Sequence, residues 1–358
     1  MKQKTFILSI VVATIFIGCN NDKDKKVQIN PLDELKQVDN LLSEIAEKPE
    51  KLTAPSDKKS TVTGAKGTII YVDPNQLETV DGSPLGDDIQ IELLEMTDNS
   101  SMLMNNTQTV SNGQILVTGG AYYLNMTSDG NQLRMKQGKG LEVEFPKLTE
   151  DEMGLFLGER DSLGQINWIQ AEQNFNSKDL EVPEEPKPKK TTKKETYSEI
   201  DLILGYIENK EVEPLTKEEI EEYERQKREY ETASKTYESV ELMNFGWINC
   251  DRFWNDPSPN TDIQLLVNND SLSGARMYAV FSDINSVVTA YYWQGMQDTA
   301  SFKNVPIGKD LTIIALSAKN ETPFIFETTI NTATDKQVQI EFMVTTQAEI
   351  KEKMKGMN

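Results

Sequence analysis

The amino-acid sequence predicts a mainly β protein: two β-sandwich-like domains joined by a Pro/Lys-rich linker and a charged helix. Three observations predict it. Short runs of alternating apolar residues recur from Gly64 to Phe175 and again from Val240 to Val344. Gly, Asn and Asp-Gly punctuate them, the pattern of half-buried strands joined by tight turns. Between the two regions lies Val182-Pro-Glu-Glu-Pro-Lys-Pro-Lys-Lys-Thr-Thr-Lys-Lys194. Its prolines favour extended backbone and its lysines cannot build a core. The chain has 358 residues, 37% of them hydrophobic, enough for two cores.

Residues 1–18, MKQKTFILSIVVATIFIG, begin with Lys2 and Lys4 and continue in an uncharged run from Phe6 to Ile17. That run suits the apolar core of a secretory signal and falls short of the about 20 residues a membrane span needs. Phe16-Ile17-Gly18-Cys19 resembles the lipobox of bacterial lipoprotein signal peptides, with Phe16 where leucine is usual. The resemblance implies cleavage before Cys19, a diacylated Cys19 thiol and an acylated new amino terminus. Several buried acyl chains hold a protein on a membrane where one only lingers. In that family an aspartate after the cysteine retains the protein in the inner membrane. Asn20 in its place implies the outer membrane.

Residues 19–63 read as a lipidated polar tether. Within it Leu35, Val38, Leu42 and Ile45 recur at spacings of three and four, predicting a short amphipathic helix over Pro31 to Glu47 that docks on a neighbour. Lys48 to Thr63 reads as linker. The first β domain is placed at 64–175, with strands at Gly67 to Val72, Asp88 to Leu93, Gly113 to Thr118, Gly120 to Met126 and Leu141 to Phe145; Gly119-Gly120 is read as a break. The run from Thr118 to Pro146 resembles ZU5-type β domains. Residues 176–215 read as the domain linker. A helix is predicted over 216–239, opened by the capping box Thr216-x-x-Glu219 and striped by Ile220, Tyr223, Tyr230 and Tyr237.

The second sandwich is placed at 240–346, starting with a strand from Glu241 to Phe253. Its segment Phe302-Lys-Asn-Val-Pro-Ile-Gly-Lys-Asp-Leu-Thr-Ile-Ile-Ala315 resembles carboxypeptidase-regulatory-like, prealbumin-like sandwiches. In these a strand ends in a Pro-x-Gly turn and the next returns to the core. That resemblance implies a structural or binding unit without catalysis. Residues 347–358 form a charged tail predicted to be a short helix.

Composition narrows the chemistry. Net charge is −21, which argues against nucleic acid and against a basic membrane-binding face. No histidine is present, which excludes imidazole-based triads and histidine metal sites. Acylation of Cys19 leaves Cys250 as the second of two cysteines, so no intramolecular disulfide can form. Its context, Phe245 to Cys250, reads as a core strand.

The segment Asn244 to Trp254, with Tyr291, Tyr292 and Trp293, reads first as core and second as a platform for stacking sugar rings. Trp254 beside Asn255-Asp-Pro-Ser-Pro259 is the residue singled out for ligand binding. Asp251-Arg252 reads as an ion pair at a strand end. The turns at Asp81 and Gly86-Asp-Asp88 lack calcium-loop spacing, and Gly119-Gly120 lacks the lysine of a phosphate loop. No catalytic residue, cofactor or metal site is predicted. The expected role is a lipid-anchored envelope protein for binding, adhesion or assembly, with the membrane and envelope proteins or glycans as partners. A carboxylate-dependent glycan hydrolase and an accessory subunit of an outer-membrane complex are the alternatives.

Overall fold

A computed structural model describes residues 31–149, 151–179, 206–207, 210–211, 216–233, 236–268 and 272–357. The chain is mainly β, with 49% of the described residues in strands and 16% in helices, arranged in several antiparallel sheets as sandwich-like units. The α-helices among the described residues are α1 (Pro31–Ile45), α2 (Asn99–Met104), α3 (Lys217–Ala233) and α4 (Gln347–Lys355).

The first sandwich packs a nine-stranded sheet against a five-stranded one. The nine-stranded sheet runs in the order Glu50–Pro55, Asp88–Met96, Gln114–Ser128, Gly246–Phe253, Gly154–Arg160, Ile166–Gln170, with three short strands off this path. The five-stranded sheet runs Asn176–Asp179, Thr236–Leu242, Leu141–Pro146, Ile69–Val72, Ser60–Thr63. Alternate residues of each strand face the partner sheet, so Ile89, Ile91 and Leu93 meet Ile70, Val143 and Val240 in one core. Tyr122 and Phe145 pack there with ring centroids 4.4 Å apart.

Several sequence boundaries move. The expected linker at 48–63 holds two strands, Glu50–Pro55 and Ser60–Thr63. Only Ala54 of these ten residues is buried. Edge strands need a backbone partner on one side, and their outward residues carry no apolar signature. The expected break at Gly119-Gly120 is a bulge inside one fifteen-residue strand. Thr118 pairs with Asp251 and Ala121 with Asn249, so two glycines oppose Cys250 alone. Gly120 takes φ +123°, a conformation other residues rarely adopt.

The largest correction concerns 176–253. Thr236–Leu242 and Gly246–Phe253 belong to the two sheets of the first sandwich and not to the second. Strand Asn176–Asp179 pairs antiparallel with Thr236–Leu242, and Asp179 is the register partner of Thr236. Residues 180–235 therefore leave the sheet and re-enter it beside the point of departure. They are an insertion between neighbouring strands, where composition suggested a linker between domains. Within it α3 ends at Ala233, short of the expected Ser239, and carries the predicted capping box. Glu219 N donates to Thr216 Oγ1 and Thr216 N to Glu219 Oε2. The lysine block 187–194 and the side chains of Tyr230 and Tyr237 lie outside the described residues.

The second sandwich faces a three-stranded sheet (Ser301–Pro306, Asn260–Val267, Gln337–Ile340) against a five-stranded one. The latter runs Val287–Trp293, Gly274–Phe281, Asp310–Lys319, Thr322–Asn331, Met343–Val344. Ile263, Phe302 and Val338 of the first meet Met277, Ile313 and Val288 of the second. The turn Pro306-Ile307-Gly308, with φ +87° at the glycine, carries the chain from one sheet to the other.

A third core joins the two sandwiches. The outer face of the nine-stranded sheet supplies Met96, Phe156 and Trp168, and the five-stranded sheet of the second sandwich supplies Tyr278, Ile314 and Leu316. Helices α1, α2 and α4 fill the space between with Val38, Leu42, Met102, Leu103, Ile350 and Met354. Every residue of strand Gly274–Phe281 is consequently buried. The predicted stripe of α1, Leu35, Val38, Leu42 and Ile45, is buried at 4% exposure or less. Among the described residues no helix is long and apolar enough to cross a membrane.

Candidate functional site

Cys19 lies outside the described residues. Trp254, the other residue singled out from sequence, follows strand Gly246–Phe253 and its N–H donates to Ile115 O at 3.0 Å. It is half-buried. Its ring meets Phe281 edge-on, with centroids 5.0 Å apart. Lys309 Nζ stands 4.9 Å over the same ring. Asp256 and Asp283 hold that ammonium at 2.6 and 3.1 Å. The Lys309 hydrogen bond holds the Asp256 carboxyl down to about 2. A cation stands over the indole in the manner of a cation–π contact.

The second half of the expected platform is elsewhere. Tyr291 and Trp293 stack on one another at 5.3 Å and 17° between planes, both half-buried. Trp293 pairs in register with Gly274, while Trp254 packs on Phe281 at the other end of the same strand. Seven residues of strand separate these ends by roughly 23 Å. One platform is therefore replaced by two separate aromatic groups.

Adjacent residues of a strand face opposite ways, and this decides Asp251 and Arg252. Arg252 reaches Asp151 at 2.8 Å. Asp251 turns inward and accepts Asn249 Nδ2 at 2.6 Å, with Thr118 Oγ1 donating to Asn249 Oδ1 at 3.0 Å. The expected ion pair between the two neighbours does not form. Burial pushes the Asp251 carboxyl well above the usual carboxylate range, and its Oδ1 has no hydrogen-bond partner among the described residues. Cys250 is buried in the first core, as its context suggests.

A dense polar assembly was invisible in sequence. It is the seam between the sandwiches. Arg160 donates to Asn106 O (2.9 Å), Gly164 O (2.6 Å) and Asn105 O (3.0 Å), closing the carbonyl end of α2, and lies 4.2 Å over Trp247. Burial lowers its pKa to about 10, so it stays charged at neutral pH. Arg276 grips Asp39 of α1 through Nε (2.5 Å) and Nη2 (2.8 Å) and also donates to Leu163 O. Burial opposes its charge, and the Asp39 bonds more than offset this, raising its pKa. Gln108 donates to Ile166 O (2.7 Å) and accepts from Thr289 Oγ1 (2.7 Å), tying both sandwiches together. Tyr278 is pushed up by burial and remains a neutral phenol donating to Asn106 Oδ1. Every guanidinium here is spent on protein acceptors, so the seam is a structural joint.

Clefts lined by charged groups open at several places among the described residues, and two of them bear on function. One, of about 300 Å³, opens at the seam between Gln108, Glu159, Gln165, Asn167, Thr289 and Lys303. A larger one, of about 640 Å³, lies over the outer face of the five-stranded sheet of the first sandwich, lined by Lys59, Tyr71, Asp73, Glu142 and Glu241 among others. Glu142 and Glu241 are register partners on adjacent strands, and both are exposed. Facing residues of this kind have Cβ atoms about 5 Å apart. Among the described residues no group of three or more acidic or cysteine ligands is placed to hold a metal ion. Asp81 spends its carboxylate on Ser83 N (3.0 Å) and Oγ (2.7 Å), a turn-closing arrangement.

No protein-family model matches this chain, and comparison with curated proteins yields no match either.

Proposed function

We propose that this chain is a lipid-anchored cell-envelope protein of the outer membrane, held through acylated Cys19, that binds or assembles with an envelope partner and catalyses no reaction. The observation that carries this reading is the insertion. Residues 180–235 begin and end at paired residues of one sheet, Asp179 and Thr236, so the sandwich closes without them. A long insertion on a rigid β scaffold is where binding function commonly resides. Among the described side chains of helix α3, Glu218, Glu221, Glu222, Glu224 and Arg225 are exposed, a polar face. The resemblance of 302–315 to carboxypeptidase-regulatory-like sandwiches supports a binding role in the same direction. The test is crosslinking and pull-down from intact cells with the full chain and with a variant in which a four-residue turn joins Asp179 to Thr236. Loss of the captured proteins in the folded variant supports the reading. Identical captures by both overturn the role of the insertion.

A second reading, hydrolysis of envelope glycans by a carboxylate pair, is favoured by one observation, the facing Glu142 and Glu241 in the larger cleft. Retaining glycosidases hold their carboxyls about 5–5.5 Å apart and in unlike environments. These two glutamates share one exposed sheet face, which does not separate an acid from a nucleophile. Glycan release that disappears in Glu142→Gln and Glu241→Gln would establish this second reading.

A further inference from the structure

We infer that Tyr291, Trp293 and Leu32 form a contact with the interface of the same bilayer that holds the acyl chains of Cys19, and that this contact orients the body on the membrane. The inference rests on the lipid-anchor reading. Three observations carry it. First, α1 is pinned at its start. Glu34 Oε2 accepts from Ser273 N (2.5 Å) and Gly274 N (3.0 Å), fixing the first turn of the helix at the beginning of strand Gly274–Phe281. Second, Gly274 is the register partner of Trp293, so the stacked Tyr291–Trp293 pair stands at the end of the sheet where the chain enters from its amino terminus. Tyr291 and Trp293 alternate with Val288, Ala290 and Tyr292, which turn into the second core. They therefore project from the helix-covered face of an edge strand, and both remain partly open to solvent. Leu32, in the first turn of α1, is exposed at 37%.

Third, the tether is short. Eleven residues, 20–30, separate Cys19 from α1. Fully extended they span at most about 40 Å. The acylated end therefore lies within that distance of the α1 start, a range that includes the end of the sheet bearing Trp293. Tryptophan and tyrosine favour the membrane interface, where an apolar ring body and a polar N–H or O–H are both satisfied. The net charge of −21 does not favour attachment through attraction to anionic lipid, which leaves the apolar and aromatic contact as the proposed one. The anchored body would then stand with the end of the second sandwich that bears Trp293 towards the lipid.

The experiment uses the full lipidated protein on phosphatidylcholine vesicles with brominated acyl chains, which quench only indoles at the bilayer. Of the four tryptophans, Trp168 is sealed in the shared core and Trp247 and Trp254 are each covered by a cation. Emission of the wild-type protein is expected to be quenched, and the quenching to disappear in Trp293→Phe. Leu32→Glu, a change at an exposed position, is expected to weaken the quenching without altering the melting temperature. Quenching that persists unchanged in Trp293→Phe overturns the inference. So does its absence from wild-type protein that floats with the vesicles. Fatty-acid labelling and flotation separate the two levels. An unlabelled protein that does not float refutes the anchor itself, whereas a labelled, floating and unquenched protein refutes only the aromatic contact.

Discussion

Asp251 is a carboxylic acid sealed in the body of the protein, and its position dictates how stability responds to pH. Its folded pKa lies above its unfolded one because burial disfavours the anion. Its contribution is therefore fully present below the ordinary carboxylate range and is lost as pH rises towards the folded value. Asp251→Asn removes the titration and preserves an oxygen for Asn249 Nδ2. The variant is expected to melt higher than wild type at pH 7–8, with the difference shrinking towards pH 4. Thermal melts across that range check it, and a difference that does not vary with pH would show that Asp251 does not titrate there. Arg276 presents the reverse case, a buried cation that keeps its charge because Asp39 answers it in two places. Asp39→Ala strands that guanidinium. The expected loss is about 2 kcal/mol in urea unfolding, below the figure for wholly buried pairs because Asp39 is partly open to water. Both residues illustrate what sequence conceals. Asp251 beside Arg252 looks like an ion pair, but the pleat sends the two to opposite faces.

At the scale of elements, the strands with alternating apolar residues were legible, and so were the capped helix α3 and the stripe of α1. What periodicity could not reveal was partnership. The insertion shows this best. Its prolines and lysines look like any linker, and only the pairing of Asn176–Asp179 with Thr236–Leu242 shows that it begins and ends in one sheet. Replacing residues 180–235 with a four-residue turn is expected to retain the β circular-dichroism spectrum. It should raise stability by about 2 kcal/mol through reduced loop-closure entropy. A deletion running to Ser239 would instead remove four residues of a central strand and is expected to unfold the first sandwich. The Gly119-Gly120 bulge gives a second test. At Gly120 the backbone has φ +123° and an added Cβ would meet the Tyr122 hydroxyl at 2.7 Å. Gly120→Ala should cost about 1–3 kcal/mol, read from the urea midpoint.

The whole molecule is two sandwiches with a common middle core. Helix α1 and helix α4 come from opposite ends of the described chain and pack in that core with α2. The two sandwiches are therefore expected to unfold together. Leu42→Ala should cost about 2–5 kcal/mol and move a single transition seen by both halves. Two separated transitions in calorimetry would show that the shared core does not couple them. At this scale the anchor also has its test. Cys19→Ser is expected to abolish fatty-acid labelling and release or stall the protein, and persistent labelling would refute acylation at that residue.

Sequence alone determined the class of the fold, the sites of helices α1, α3 and α4 and many of its strands, but not α2, because period-2 and period-3.6 patterns are local consequences of one face meeting a core and a six-residue helix is too short to show one. It also carries the lipobox-like segment around Cys19, on which the proposed location depends. Tertiary structure decided which strands are neighbours, that 180–235 is an insertion, that Asp251 faces inward, and that Arg160 and Arg276 join the sandwiches. Those outcomes rest on pairing between residues far apart in the chain, 237 positions in the case of Asp39 and Arg276. No local pattern encodes such a pairing, because each partner's sequence is compatible with many neighbours until the cores close around it.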